Sequence, residues 1–372
     1  MRVGIVLLSI GIGGTEKRLA TLFQFLAKQA EHEYYLVAPD CLLRLLQKQG
    51  ILSDAIRELH RIDCGAWQSR LERIRLTYYV GFPLWRRALK EALTRADAAA
   101  RTDVFHYALP SSYFIAPRAF RRRSVIEAQD STQSWHNELM LRTAARRGTV
   151  VNCLSEPIRD SLERRLSPDA ARRLHLSPGS LLDSRFDVPP EPKQRRVVFV
   201  GRLEPVKSPL LFVNAIARLA MRTRDFRVSI LGDGSLQEQV DARIRDLGLS
   251  DILDRTFHDR PREVLAKSMV FVSLQTMDNY PSQALLEAMT CRCATVASDV
   301  GSTHRLVTPE TGLRVPLDAD RIADAIHMLL SDPARVDKMG LAARALVQHD
   351  HSVDRYAEYL EGLYDRAAGG TG

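Results

Sequence analysis

No stretch of about eighteen consecutive apolar residues occurs in the 372-residue chain, so a membrane-spanning helix is not expected. Nor is a signal peptide, because Met1-Arg2 runs directly into a short strand-like segment, Val3 to Leu8. Cysteine is scarce: Cys41, Cys64, Cys153, Cys291 and Cys293 are odd in number and scattered. That speaks against a disulfide framework and fits a reduced, cytoplasmic setting. Cys291-Arg292-Cys293 has the wrong spacing for a zinc knuckle and no second pair, so both cysteines read as small buried residues. No His-Glu-x-x-His, no Ser-His-Asp order and no other metal-ligand spacing is present, so neither a metal nor another cofactor is expected. Repeats and low-complexity tracts are lacking too, apart from the tail Gly369-Gly370-Thr371-Gly372.

What is there suffices for two cores. An apolar content of 45% over 372 residues exceeds what one core accommodates, since single cores stop growing at roughly 250 to 300 residues. The net charge is +8, unevenly spread. Residues 1–190 hold 29 Lys and Arg against 20 Asp and Glu, a balance of +9, which leaves 24 against 25, or −1, for the rest. Much of the excess is arginine close to aromatics, from Trp67 and Arg70 through Tyr78 and Tyr79 to Trp85, Arg86 and Arg87, followed by the run Arg121-Arg122-Arg123. Basic residues interleaved with Trp and Tyr suit an anionic membrane surface. A solvated arginine-rich helix face is the plain alternative, and nucleic acid, supported by charge alone, is not an expected partner.

Short apolar strands alternate with amphipathic helices almost from end to end, the signature of parallel sheets with helices on both faces. Strands are expected at Val3–Leu8, Tyr34–Val37, Val104–His106, Ser124–Glu127 and Val150–Leu154, with a helix from Thr15 to Gln29 after the first. A second series is expected at Arg196–Val200, Arg227–Leu231, Asp254–Phe257, Met269–Leu274 and Ala294–Ala297, with helices starting near Pro209, Leu236, Pro261, Ser282 and Asp318. The proline-rich stretch 187–194 reads as a hinge between domains 1–186 and 195–351. Ligands of open α/β sheets bind beyond the strand carboxyl ends, so two facing sheets would place the site in a cleft between them.

The most telling stretch is Asp278-Asn279-Tyr280-Pro281-Ser282-Gln283, leading into Ala284-Leu285-Leu286-Glu287-Ala288-Met289. A buried strand precedes it, Pro281 pre-sets a helical φ, and Leu285, Leu286 and Met289 supply a packed face. The first N–H groups of a helix starting near Ser282 would hold a phosphate without a metal. Glu287, one turn in, can accept hydrogen bonds from a vicinal diol such as a ribose. In Gly201-Arg202-Leu203-Glu204-Pro205-Val206-Lys207-Ser208, Arg202 offers a planar fork and Lys207 a compact charge, which together suit a diphosphate. Gly232-Asp233-Gly234-Ser235 reads as a turn. Gly11-Ile12-Gly13-Gly14-Thr15-Glu16 has Glu16 where a dinucleotide fingerprint requires glycine, so it is read as a turn exposing backbone N–H groups, with Thr15 as the helix cap. His106, at a strand end, is a candidate to polarise a substrate or hydrogen-bond to it, against a satisfied structural role. His136 and His258 are further candidates.

These residues resemble the retaining, nucleotide-sugar-dependent family-4 glycosyltransferases of the GT-B fold. The likeness runs over most of the chain and is strongest from Val198 to Pro316, through Gly201 to Lys207, Leu231 to Gly234, Asp278 to Met289 and Ala297 to Gly301. It is recognisable also at Gly13 to Arg18 and at Ser177 to Ser180. The resemblance implies an α/β protein of two Rossmann-like, doubly wound parallel-sheet domains facing a central cleft. The first domain would bind the acceptor and the second the sugar nucleotide, with a last helix, about 352–367, packing back on the first. It further implies that Arg202 and Lys207 hold the diphosphate, that Glu287 holds the ribose, and that Gly14 lies beside phosphate and acceptor. Where the family has the first Glu of its pair, this chain has Asn279 with Asp278 before it, and either would touch the donor sugar. Arg292 replaces a usual glycine, and Ala128-Gln129-Asp130 replaces a usual acceptor-side histidine.

The activity so implied is transfer, with retention, of a hexosyl or related sugar from a UDP-, GDP- or ADP-sugar to a saccharide or lipid-linked acceptor, in polysaccharide or glycolipid synthesis. Arg202, Lys207 and His106 are the expected catalytic residues; Gly14, Asp278, Asn279, Tyr280, Pro281, Ser282, Gln283 and Glu287 are the expected donor-binding residues. The location implied is the cytoplasm, with peripheral attachment to the inner face of the plasma membrane. Two rival readings share the architecture. A sugar-nucleotide 2-epimerase would act without an acceptor, and a degenerate sugar-nucleotide-binding protein would be stabilised by nucleotide without transferring anything.

Overall fold

The computed structural model describes residues 1–9, 12–29, 32–63, 82–121, 123–129, 135–178, 189, 191–256, 261–280 and 282–369, with side chains of the helix at 82 described from Trp85. Pro281, Gly11, Asp130, His258, most of the basic aromatic stretch before Trp85 and residues 187, 188 and 190 of the expected hinge lie outside the described residues. The chain divides into two compact units, Met1–Leu181 with Val353–Gly372, and Leu182–Ser352.

In the first unit the elements run β1 (Arg2–Val6), α1 (Gly14–Leu26), β2 (Glu33–Pro39), α2 (Asp40–Lys48), β3 (Leu59–Ile62), α3 (Phe82–Ala99), β4 (Val104–Tyr107), α4 (Pro110–Ile115), β5 (Ser124–Ala128), α5 (Trp135–Arg146), β6 (Val150–Cys153), α6 (Glu156–Glu163), α7 (Pro168–Ala171) and β7 (Leu174–Leu176). The strands form one sheet of order β3-β2-β1-β4-β5-β6-β7, every described pairing parallel. Strands buried on both faces read as continuous apolar runs, which is why β1 and β6 were legible as such. One core cluster joins β1 and β2 to α1 and α2; another, on residues such as Tyr35, Trp85, Leu89 and Tyr107, packs under α3.

The second unit continues with β8 (Gln194–Val200), α8 (Pro209–Ala220), β9 (Arg227–Leu231), α9 (Gln237–Asp246), β10 (Leu253–Thr256), α10 (Pro261–Lys267), β11 (Ser268–Ser273), α11 (Gln283–Thr290), β12 (Ala294–Ser298), β13 (Gly312–Val315), α12 (Ala319–Ser331) and α13 (Pro333–Asp350). Its sheet has the order β10-β9-β8-β11-β12-β13, again parallel throughout the described pairings. The last helix, α14 (Val353–Ala368), returns to the first unit, where Tyr356, Leu360, Leu363 and Tyr364 join its core. Among the described residues no helix is long and apolar enough to cross a membrane.

Three strands went unread in the sequence, β3, β7 and β13, and all three are sheet edges. Edge strands are half exposed and short, so Leu59–Ile62 and Leu174–Leu176 lack the apolar run that marks a central strand. The cap of α1 also differs from expectation. Gly13 is the N-cap residue, its N–H donating to the Glu16 carboxylate at 2.8 Å. Thr15 lies inside the helix and gives its hydroxyl proton to Gln129 instead.

Candidate active site

In each sheet the chain winds outward along one side and then returns to the other side of its first strand, which puts a reversal of order between β1 and β4 and between β8 and β11. Such reversals leave a crevice at the strand carboxyl ends, the usual ligand position of open α/β sheets. In the second unit this edge is assembled from four loops whose contacts are backbone and side chain alike.

The loop after β8 is locked to the loop after β9. Leu203 N–H donates to Asp233 O at 2.7 Å and Leu236 N–H to Leu203 O at 2.9 Å. The Glu204 carboxylate accepts from the Ser235 N–H at 3.1 Å and the Ser235 hydroxyl at 2.6 Å. A side chain at Gly232 would stand 2.1 Å from Gly201 O, so the close approach of the two loops requires glycine there. The same β8 loop then makes a short 3₁₀ turn, Pro205–Lys207, whose Val206 carbonyl accepts from Thr276 N–H, beyond β11, at 3.1 Å. The Lys207 ammonium donates to Gln275 Oε1 at 2.8 Å. The contact spans the strand-order reversal between β8 and β11.

Gln275 is buried and is itself fixed by the end of β12: its N–H donates to Ser298 Oγ and the Ser298 hydroxyl donates to its carbonyl, each at 2.8 Å. Burial, reinforced by the charge of Arg202, lowers the Lys207 ammonium to about 8. A desolvated cation close to a second cation is a site that favours an anion. Arg202 is exposed, and its guanidinium has no ion-pair partner among the described residues.

The Asp278-to-Glu287 segment closes the other side. Asp278 Oδ1 accepts from Ser302 N–H at 2.9 Å, which anchors the loop to the 3₁₀ turn after β12. Asn279 is exposed, and Tyr280 is buried beneath the Arg305 guanidinium, 4.6 Å from the ring centroid. Ser282 is the buried N-cap residue of α11, and its side chain does not satisfy the helix's first N–H groups. Gln283 is the first helical residue. Glu287 is buried one turn further in. Arg292 has φ +62, the left-handed conformation that glycine would adopt without strain.

Two expected site residues lie in the first unit. Gly14 is exposed as the first residue of α1. His106 requires correction: it is fully buried, its Nδ1 2.8 Å from Tyr364 Oη on α14 and its Nε2 3.4 Å from Glu127 Oε1. A ring so enclosed holds the last helix against the sheet and has no surface to offer a substrate. Its neighbour Glu127, also fully buried, pairs with Arg18 of α1, whose guanidinium also donates to Tyr356. Gln129 then links this interior to the strand ends, donating to Glu127 Oε2 at 2.8 Å and to Ala108 O at 2.7 Å. His136 is exposed at the start of α5.

Sequence reasoning missed Gln275, Ser298 and Arg305. Gln275 had a signal, a polar residue directly after the apolar run of β11. Arg305 had none, since its contact with Tyr280 joins loops from different strands.

Residues 182–346, nearly all of the second unit, match the family described as glycosyl transferases group 1. The second unit is similar to that family. Curated relatives agree. Alpha-D-kanosaminyltransferase of Streptomyces kanamyceticus is 28% identical over 60% of this chain, a match that spans 62% of the relative's own length. An alpha-1,4-N-acetyl-D-galactosaminyltransferase of Campylobacter jejuni, named for an undecaprenol-linked diphosphate glycan, is 24% identical over 89% of both chains. Among solved structures, sucrose-phosphate synthase from Thermosynechococcus elongatus superposes with a TM-score of 0.75 over 98% of both chains at 18% identity. S. aureus TarM superposes with a TM-score of 0.75 over 98% of this chain and 99% of the other, at 11% identity. The fold is therefore of the GT-B type, two parallel-sheet α/β domains.

Proposed function

We propose that the chain is a retaining glycosyltransferase that moves a hexosyl or related sugar from a UDP-, GDP- or ADP-sugar to a saccharide or lipid-linked acceptor. The observation that carries this reading is the Lys207 ammonium, desolvated and held by Gln275 where the strand order reverses, beside the exposed Arg202. The glycosyltransferase relatives, one of them named for a lipid-linked diphosphate acceptor, support the same reading.

In the proposed reaction the bond from the anomeric carbon to the β-phosphate oxygen breaks and its electron pair stays on that oxygen. Arg202, Lys207 and the uncapped N–H groups of α11 stabilise the growing charge, which lowers the barrier by about 3 kcal/mol or more without a metal. The acceptor hydroxyl attacks from the face the phosphate leaves and passes its proton to a phosphate oxygen. Retention follows from that shared face. Glu287 takes the ribose hydroxyls, and Asp278 or Asn279 the donor sugar. Tyr280, Ser282 and Gln283 shape the helix entry that receives the diphosphate, and Gly14 lets a ligand approach the start of α1. Polysaccharide or glycolipid synthesis beside an anionic membrane is the setting this reading favours.

A thermal-shift series with UDP-, GDP- and ADP-sugars identifies the donor, because ligand binding raises apparent stability by mass action. Proton NMR of the first product formed with that donor and an acceptor then reads the anomeric configuration. Retention supports the proposal. Inversion, or epimer formation without an acceptor, contradicts it.

A further inference from the structure

At the amino-terminal edge of the first unit's sheet, opposite the strand ends discussed above, lies a cavity of about 540 Å³. It opens where β5 and β6 begin, and its wall includes Arg118, Arg121, Arg123 and Arg147, with the hydroxyls of Tyr113 and Thr149. No acidic side chain is among the described residues that line it. Elsewhere surface arginines are neutralised locally, as in Arg44 with Asp40 or Arg159 with Asp160. Arg118, Arg123 and Arg147 have no ion-pair partner among the described residues.

Two features make this more than a solvated patch. Arg121 is held in place: its Nε donates to Ala116 O at 2.7 Å, its Nη2 donates to Phe114 O, and its guanidinium lies 5.6 Å from the ring centroids of both Tyr113 and Phe114. Burial, with the nearby charges of Arg86 and Arg147, lowers its affinity for its own proton. The other feature is backbone strain. Arg123 sits at φ +55, a conformation that glycine adopts freely and arginine does not. A long cationic side chain is thus carried at a position where the backbone alone would prefer none.

We propose that this arginine-lined cavity binds a phosphate group of at least two negative charges, a phosphomonoester or a diphosphate, presented by a soluble metabolite or by a lipid headgroup. Guanidinium forks match pairs of phosphate oxygens, and the absence of lining carboxylates leaves three of the four arginines to be neutralised by a ligand. The hydroxyls of Tyr113 and Thr149 hydrogen-bond to each other at 3.0 Å, which leaves one hydroxyl proton for a further acceptor. The site lies in the first unit, whereas the proposed donor site lies in the second.

The test uses the full chain with two probes: sodium pyrophosphate by titration calorimetry, and phosphatidylcholine vesicles with and without phosphatidic acid by co-sedimentation. Arg202→Ala/Lys207→Met removes the proposed donor site, so that pyrophosphate bound by this variant reports the cavity alone. On that background Arg123→Gly/Arg147→Gln is expected to weaken binding at least tenfold. Arg123→Gly relieves the φ strain and Arg147 is exposed, so the variant should melt no lower than its parent. Lys48→Ala/Arg57→Ala removes the same charge from another surface and is expected to leave binding unchanged. Pyrophosphate binding alone would assign a soluble ligand, and binding to phosphatidic acid vesicles that pyrophosphate competes away would assign a lipid headgroup; either supports the proposal. Binding of neither probe, equal binding by the cavity variant, or an equal loss in the charge control would overturn it.

Discussion

The Lys207 ammonium donates to Gln275 Oε1 at 2.8 Å, so a cation from the loop after β8 is pinned to the loop after β11, across the reversal of strand order. A lysine held this way is preorganised: its position and partial desolvation are established before any ligand arrives.

That desolvation sets a pH dependence. Burial, with Arg202 adding to it, lowers Lys207 from 10.5 to about 8. The unfolded chain therefore binds more protons than the folded one between pH 8 and 10.5, and the contribution of this group to stability rises with pH across that window. Diphosphate binding works in the other direction by favouring the charged ammonium. Nucleoside diphosphate affinity is expected to fall as pH rises through about 8, with proton uptake on binding. Calorimetry in buffers of different ionisation enthalpy reads that uptake, and Lys207→Arg should abolish it.

Arg202 is exposed. Arg202→Ala is expected to change stability by no more than about 0.5 kcal/mol while slowing transfer roughly 10²- to 10³-fold. Chemical denaturation and initial-rate measurements on the same preparation separate the two effects. A large loss of stability would mean that the side chain serves the fold.

Gly301 has φ +51, and a Cβ there would stand 2.2 Å from Asp278 Oδ1. Gly301→Ala is expected to cost about 1 to 3 kcal/mol and to lower turnover by displacing the Asp278 loop. Urea denaturation with donor-binding titration checks both. Gly50, also at positive φ but with open space around it, should lose stability on substitution without losing donor affinity.

Glu127 is a test of the interior. Burial pushes its carboxyl up, but Arg18 and the adjacent His106 outweigh burial and hold it down to about 2. A depressed carboxylate stabilises the folded chain above its unfolded value, and that contribution is lost as pH falls from 4.5 towards 2. Glu127→Ala leaves Arg18 buried without its carboxylate and is expected to cost about 3 to 5 kcal/mol. The acid limb of the stability profile should flatten in the same variant.

Legibility in the sequence followed locality. The central strands could be read because strands buried on both faces are apolar throughout. The cation pair Arg202 and Lys207 could be read because both lie in one strand-to-helix loop. The edges β3, β7 and β13 could not, since their burial is partial. His106 was misread for a different reason: the residue that encloses it, Tyr364, is 258 positions away, and no local pattern announces a helix that returns across the whole chain. A longer separation hid the Arg18–Tyr356 contact, 338 positions apart.

The most direct test of the account is the rate of sugar transfer by Arg202→Ala/Lys207→Met beside the parent chain, at saturating donor and with folding verified by melting temperature. The account predicts a normally folded variant whose turnover is down by at least about 10³-fold. Turnover within a few-fold of the parent would contradict it.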